Sequence, residues 1–504
     1  MSASQRPVEE LVHRLHTSAV VREPAAARSA RLFRTLGVFA LAFGVPSAIV
    51  GFVMNDALAL AISAAFTGGA FLCYDVSRAR RGGLSPITMY AFTWTLAAIG
   101  NAFAVLNQDT AQRPLFFIYA IDEHLPLAMK IAWLGLVVPV LGYYWVARSP
   151  AWQGVRRLLP SVQGEIQDRY LLPVGLIAAA IGFATTMTDI VPSLGTLTDL
   201  LRFLPHLATF TLARMGTMRK RRRVVWVALG IALLEAVRAA VFAYLRSDVV
   251  SPIFAYAAGV FLGAGSLRAL RGVFMVPVYA AMIPFIAYFA AFADVRGSAG
   301  SGFERLTDIH EQRLAQIEAG ENSRQNLLTR LSNINQLTQI GRVVDEDGFL
   351  GGETLEYLAY AWIPRFLWAE KPVIAKGAWF AYRIGQARLV NGRPSNSINM
   401  TIPGEFYLNF GWLGLFMGTF AFGGLLALLW RTTGFWEQRQ NVLGAAFGFY
   451  LVWVGVVGGA DLQIVITLIA VYLVFAAASI TFRNGVAPVR RVSPSDTSTS
   501  AGMA

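Results

Sequence analysis

Residues 362–411 read WIPRFLWAEKPVIAKGAWFAYRIGQARLVNGRPSNSINMTIPGEFYLNFG, and a long apolar run follows directly. The stretch mixes Trp, Phe and Tyr with few acids and with six cations, namely Arg365, Lys371, Lys376, Arg383, Arg388 and Arg393. Arginine and lysine suit phosphate groups, and aromatic side chains are common where a membrane meets water. We therefore expect this segment to lie at a membrane surface, against an anionic head group and its sugars.

The composition is that of a membrane protein. Of the 504 residues, 55% are hydrophobic and 14% are charged, and the mean hydropathy is +0.51. Apolar runs of about 18 or more residues, the length that a spanning helix needs, recur along the chain. A net charge of +13 would suggest nucleic acid in a soluble chain. Basic cytosolic loops account for much of this charge, so we expect no nucleic-acid partner.

These runs predict an all-α, polytopic membrane protein with about twelve transmembrane helices. They lie at roughly 36–54, 57–74, 86–106, 126–147, 170–190, 194–214, 224–245, 251–268, 273–292, 406–430, 441–458 and 463–481. The sixth run is the least regular, because Asp199, Arg202 and His206 interrupt it and Pro205 would kink it.

The distribution of Lys and Arg predicts the orientation. With both termini in the cytosol, every inward connection is basic and the short outward connections are poor in cations. The predicted domains are a cytosolic amphipathic segment at 1–35, helices one to nine at 36–292, an extracytoplasmic loop domain at 293–405, helices ten to twelve at 406–482, and a disordered cytosolic tail at 483–504.

The first half of the long loop is predicted to be helical. Leu327, Leu331, Ile334, Leu337 and Ile340 recur at steps of three and four residues, which places them on one apolar stripe. The second half, richer in Pro, Gly and aromatics, predicts short helices and irregular backbone. A loop of this length in a compact protein usually carries function.

Two charged residues inside an apolar run are candidates for a site. Glu235 and Arg238 are three residues apart in the seventh run, so they share one helix face. Charges within a membrane are costly and commonly mark a site, so Arg238 would bind an anionic group that enters from the lipid. The alternative is a local ion pair that only packs the helices together. The basic loop cluster likewise has an alternative, which is a solvated surface that contacts anionic lipid.

Few residues in the loop could act as a base. Glu405 lies in PGEFYLNFG at the mouth of the tenth run, where burial would raise its pKa toward neutrality. Its alternative role is to stabilise the helix dipole from the first turn. His310 is the only histidine of the loop, and its alternative is an ordinary surface position.

Other motifs are missing from the sequence. It contains no phosphate-binding P-loop, no dinucleotide fingerprint and no zinc-ligand spacing. The single cysteine, Cys73, excludes an intrachain disulfide. We expect no cofactor and no metal.

Two segments, IPRFLWAEKP and IPGEFYLNFGWLG, resemble the bacterial oligosaccharide repeat-unit polymerases, the O-antigen or Wzy-type polymerases. The matching positions are Ile363, Pro364, Arg365, Trp368, Lys371, Pro372, Gly404, Glu405, Tyr407, Phe410, Gly411 and Gly414. Ala369 stands where the family usually has a proline. The likeness covers about fifty residues and agrees with the predicted topology elsewhere.

The resemblance implies a glycosyltransferase of GT-C-like architecture in the bacterial inner membrane, with its large loop in the periplasm. Such enzymes move a glycan from one undecaprenyl diphosphate to the end of a repeat unit on another, without a metal, and a chain-length regulator protein can accompany them. On this basis, Glu405 or His310 is the expected base. The residues expected on the diphosphate are Arg365, Lys371, Arg383, Arg388 and Arg238, and those expected on sugar are Trp368, Trp379 and Tyr407.

Three alternatives remain open. An O-antigen ligase shares the topology and the donor, but it moves the finished glycan to another acceptor. A polysaccharide or lipid transporter also fits a bundle with intramembrane charges, although such proteins often show two similar halves and we find no internal repeat. A non-catalytic assembly subunit is the third.

Overall fold

The computed structural model describes residues 25–78, 85–106, 122–188, 196–242, 246–264, 272–280, 304–318, 332–361, 363, 367–368, 370–372, 376–387, 389–390, 393–394, 397–435, 440–456 and 462–485. Predicted features outside these residues are Arg365, Arg388, Leu327, Leu331, most of the ninth run, the segment 1–24 and the tail beyond 485.

The described chain is almost entirely helical. Its α-helices are α1 Ala25–Met54, α2 Ala57–Arg78, α3 Pro86–Leu106, α4 Leu125–Arg148, α5 Gln153–Leu158, α6 Asp168–Thr188, α7 Thr196–Met218, α8 Arg222–Phe242, α9 Arg246–Ala264, α10 Glu304–Glu318, α11 Ile334–Asp347, α12 Tyr357–Tyr360, α13 Lys376–Arg383, α14 Ile402–Thr432, α15 Val442–Val456 and α16 Gln463–Gly485. Short 3₁₀ turns lie at Asp122–His124, Pro150–Trp152, Val273–Met275 and Glu353–Leu355. The strands β1 Leu389–Val390 and β2 Arg393–Pro394 form an antiparallel pair, with Leu389 opposite Pro394 and Val390 opposite Arg393.

Eight of the described helices, α1 to α4, α6, α8, α14 and α16, are long and apolar enough to cross a membrane. Two more, α9 and α15, have shorter apolar stretches. The expectation of a helical chain with membrane-type helices is therefore confirmed. The number of twelve crossings stays a prediction.

The helix α7 corresponds to the irregular sixth run and is not among those eight. It packs against α6, α8, α9 and α15, and Phe210, Leu212 and Ala213 have no exposed surface. A helix enclosed by protein can carry polar residues that lipid would not tolerate. This enclosure holds for His206 and Arg214, which are 7% and 4% exposed, whereas Arg202 lies at an exposed position of the helix.

The helices α4 and α14 pack with their backbones in close approach. A Cβ atom on Gly142 would lie 2.2 Å from the carbonyl oxygen of Phe420, and one on Gly423 would lie 1.9 Å from that of Pro139. Small residues at such crossings let membrane helices approach closely. This contact fixes α14, whose first turn carries Glu405.

The loop helix α11 packs on α4 and α14. Its apolar stripe is as the sequence predicts, since Ile334, Leu337 and Ile340 are all at most 2% exposed. Asn101 of α3 holds its start: the Asn101 Oδ1 accepts from the backbone N–H of Asn333 at 3.1 Å, and the Asn101 Nδ2 donates to the Asn333 Oδ1 at 2.9 Å. The long loop is thus anchored to the membrane-type helices.

Candidate functional site

The start of α14 is built by an N-terminal cap. The Thr401 Oγ1 accepts from the backbone N–H of Gly404 at 3.2 Å, and Pro403 occupies the first turn, where its missing N–H is not needed. Thr401 itself has φ 64° and ψ 150°, a conformation that is essentially restricted to glycine and costs about 1–3 kcal/mol. The cap therefore fixes the position of Glu405, and it does so although the backbone of Thr401 is strained.

The side chain of Glu405 is completely buried, with 0% exposure. One carboxylate oxygen, Oε1, accepts from the Thr354 hydroxyl at 3.1 Å and pairs with the Lys376 ammonium. The other, Oε2, accepts from the backbone N–H of Leu462 at 3.1 Å, just before α16. The carboxylate thus joins α14, two parts of the long loop and the start of α16.

Lys376 is the first residue of α13, and its side chain is 9% exposed. Its Nζ lies 3.5 Å from the centroid of the Tyr357 ring, as a cation–π contact. A buried charge is costly unless it is paired and hydrogen-bonded, and here both members have several partners. This pair, which we call the Glu405–Lys376 pair, is the centre of the candidate site.

The helix α14 is interrupted at Gly411, which has φ 61° and ψ −148°. The adjoining loop supplies hydrogen bonds at this break. The backbone N–H groups of Leu350 and Gly351 donate to the carbonyl oxygens of Leu408 at 3.1 Å and Asn409 at 3.0 Å. Non-helical backbone is tolerated in a membrane helix where neighbouring protein satisfies it.

Asn409 connects the break to the buried pair. Its Oδ1 accepts from the backbone N–H of Gly352 at 3.1 Å, and its Nδ2 donates to the Thr354 hydroxyl at 2.7 Å. That hydroxyl in turn donates to Glu405. The loop at 350–354 and the carboxylate are therefore parts of one hydrogen-bond network.

Lys371, predicted to lie on a diphosphate, is 8% exposed. Its Nζ donates to the carbonyl oxygens of Ala361 and Ile363, each at 2.8 Å. The ammonium thereby ties the IPRFLWAEKP segment to the end of α12, whose Tyr357 contacts Lys376. The two segments that carry the family resemblance are therefore linked through this short helix.

Arg383, at the end of α13, pairs with the end of α11. Its Nε and one terminal nitrogen donate to Asp347 at 2.9 and 2.5 Å, and Glu346 lies at 3.2 Å. The hydrogen bonds and charge of Asp347 raise the pKa of Arg383. The Arg383 guanidinium therefore links α13 to the end of α11.

The predicted sugar-binding aromatics differ in exposure. Trp368 and Trp379 are 38% and 36% exposed, and Trp368 packs edge-on against Tyr360. Tyr407 is 6% exposed and makes ring contacts with Phe349 and Trp412 at 5.8 and 4.9 Å. The two indoles can therefore stack on a sugar from solvent, whereas Tyr407 belongs to the packed interior.

The other predicted residues lie on different helices. Arg238 donates to both oxygens of Glu235, at 2.9 and 2.6 Å, so the local ion pair is formed. His310 is exposed on α10, which contacts α8. Arg365 and Arg388 are outside the described residues. Among the residues that the structure describes, no three His, Cys, Asp or Glu side chains are grouped to hold a metal ion.

Sequence reasoning placed Glu405 in the site but did not place its partners. Lys376 is one of the six cations in residues 362–411, and nothing in the sequence distinguishes it from the other five. Thr354 and Asn409 belong to no recognisable motif. A buried carboxylate needs compensating donors. The sequence therefore indicates that a lysine or arginine pairs with Glu405, but it does not indicate which one.

Comparison with known proteins gives one match. A family model described as a domain of unknown function, DUF8712, matches residues 159–456. This range runs from just before α6 to the end of α15 and contains both members of the Glu405–Lys376 pair. No curated protein and no solved structure matches the chain. Because the match covers more than half of the 504 residues, the chain belongs to the DUF8712 family.

Proposed function

We propose that the chain is a polysaccharide polymerase of the inner membrane. It transfers glycan from one undecaprenyl diphosphate carrier to the end of a repeat unit on a second, with about twelve helices crossing the membrane and the loop at 293–405 in the periplasm. The observation that supports this most is the Glu405–Lys376 pair. It holds the carboxylate of one segment that resembles such polymerases, at the start of α14, against an ammonium from the chain between the two segments.

The proposed reaction is a displacement at the anomeric carbon. The acceptor hydroxyl oxygen forms the new bond to that carbon and gives its proton to Glu405. The bond between the anomeric carbon and the diphosphate oxygen breaks, and the diphosphate leaves with the electron pair. No nucleotide is needed, because the donor already holds the activated bond.

Lys376 has two successive partners in this mechanism. Without substrate, its ammonium pairs with the Glu405 carboxylate. When the lipid diphosphate binds, the ammonium turns toward it and stabilises the charge that grows on the leaving group. Glu405, released from its cation, then accepts the proton of the acceptor hydroxyl.

Other cations are proposed to contact the diphosphate as well. Arg365, Arg388, Lys371, Arg383 and Arg238 are the further diphosphate candidates. The half-exposed rings of Trp368 and Trp379 offer apolar faces to the sugar. His310 is the alternative base, and a chain-length regulator is the expected protein partner.

The test is deletion of the encoding gene and complementation with wild type or with the double variant Lys376→Met/Glu405→Gln, which leaves no unpaired buried charge. Loss of a polymerase leaves single repeat units on the final acceptor, and the double variant should behave like the deletion while the protein still accumulates. Long polymer stranded on the lipid carrier would indicate a ligase instead. An unchanged glycan profile in the deletion strain would reject both.

A further inference from the structure

A cavity of about 460 Å³ lies between α1 and α2, on the side where the sequence places the cytosol. It is lined by Arg34, Gly37, Val38, Leu41, Ala70 and Tyr74. The first four are spaced by three and four residues, so they form one face of α1, and the last two form one face of α2. This volume is within the usual range of small-molecule pockets, which is roughly 300–1,000 Å³.

The lining changes from charged to apolar along α1. Arg34 lies at the end nearer the predicted cytosol and is exposed, and Val38 and Leu41 follow deeper in the helix. Both apolar side chains are open to the surroundings, at 67% and 40% exposure. A cationic rim beside an apolar wall is complementary to a lipid whose head group is anionic and whose chains are apolar.

A second cation stands beside the rim. The Arg148 guanidinium lies 5.5 Å from the centroid of the Tyr74 ring and 4.9 Å from that of Tyr144, and it donates to the Tyr74 hydroxyl. Arg34 has no carboxylate within ion-pair distance in the part of the chain that the structure describes. Two guanidinium groups thus flank the Tyr74 end of the cavity, and they outnumber the neighbouring acid Asp75, whose Oδ1 accepts from the Tyr144 hydroxyl at 2.8 Å.

We infer that this cavity binds an anionic phospholipid of the cytosolic leaflet. The phosphate lies against Arg34, with Arg148 and Tyr74 beside it. The part of one acyl chain nearest the head group covers Val38, Leu41 and Ala70. The site is separate from the Glu405–Lys376 pair, and it does not depend on the proposed polymerase activity.

The experiment uses the full-length protein in lipid discs that contain equal amounts of phosphatidylglycerol and phosphatidylcholine. Native mass spectrometry counts the lipids retained on the protein. Wild type should keep phosphatidylglycerol, and Arg34→Ala should weaken this preference about fivefold, the effect expected of one cation near anionic lipid. Val38→Trp keeps the charge but fills the cavity, and it should reduce retention of both lipids.

The matched control is Arg157→Ala, which removes an exposed cation of the same predicted membrane side that does not line the cavity. Its lipid preference should stay within about twofold of wild type. Equal losses in Arg34→Ala and Arg157→Ala would show diffuse attraction and overturn the site. Retention unchanged in Val38→Trp, or displacement of the lipid by inorganic phosphate alone, would overturn it as well.

Discussion

Glu405 and Lys376 form an ion pair that is withdrawn from solvent at the start of α14, with 0% and 9% of their side chains exposed. The pair joins the long loop to α14 and α16, because Glu405 also accepts from Thr354 and from the backbone of Leu462. Its two members therefore have a structural effect that can be measured apart from any chemistry.

Lys376→Met should strongly destabilise the protein. The substitution leaves Glu405 buried without its cation, which costs about 3–5 kcal/mol when one partner of a buried pair is removed. The double variant Lys376→Met/Glu405→Gln removes both charges and should recover most of the lost stability. Thermal unfolding in detergent measures both, and equal stability of the single and double variants would contradict the pairing. Neither variant should make polymer.

Glu235→Ala should lower protein accumulation. Arg238, whose side chain is 13% exposed, would lose the carboxylate that binds both of its donors, again at a cost of about 3–5 kcal/mol. Arg365→Ala serves as the comparison, since we expect it to abolish chain extension while the protein accumulates normally. Quantitative immunoblotting of membranes checks this, and equal abundance of the two variants would be the contrary result.

Lys371→Ala should loosen the loop around residues 357–383. It removes two hydrogen bonds from a charged donor, each worth about 1.5–3 kcal/mol. Arg383→Ala breaks a partly exposed pair and should cost only about 0–1 kcal/mol. Limited proteolysis of the detergent-purified protein compares the two. The structural role of Lys371 fails if both variants are cut at the wild-type rate.

Gly411→Ala should destabilise α14. Its backbone angles suit only glycine, at about 1–3 kcal/mol for another residue, and a Cβ atom would lie 2.9 Å from the Phe349 ring. Gly230→Ala is the control, because that helical glycine has open space around it. Thermal unfolding should show a lower midpoint for Gly411→Ala alone. A midpoint shift of the same size in both would mean that the break is not required.

The helical architecture could be predicted because apolar length and periodicity are local properties. The stripe of Ile334, Leu337 and Ile340 is visible in sequence, and α11 buries that stripe. The interruption at Gly411 was not visible, since the surrounding residues are apolar and read as one continuous span. Likewise, α14 begins at Ile402 rather than near residue 406, because Thr401 and Pro403 cap it before the apolar run starts.

The candidate site was predictable only in part. Glu405 was identified from its place in a motif, but the choice of Lys376 over five other cations depends on how α13 folds back onto α14. No spacing in the sequence records this contact, which joins residues 29 positions apart. The same is true of Lys371, whose carbonyl partners are set by the course of an irregular loop.

The break in α14 makes the loop and the helix interdependent. If the segment at 350–352 detached, the carbonyl groups of Leu408 and Asn409 would lose their donors at the membrane boundary, at about 1–3 kcal/mol for each unsatisfied group. The helix would then have to straighten through Gly411 to recover them. Detachment of the loop at 350–352 and a change in the backbone of α14 are thus coupled, so a ligand that favours either one would also favour the other.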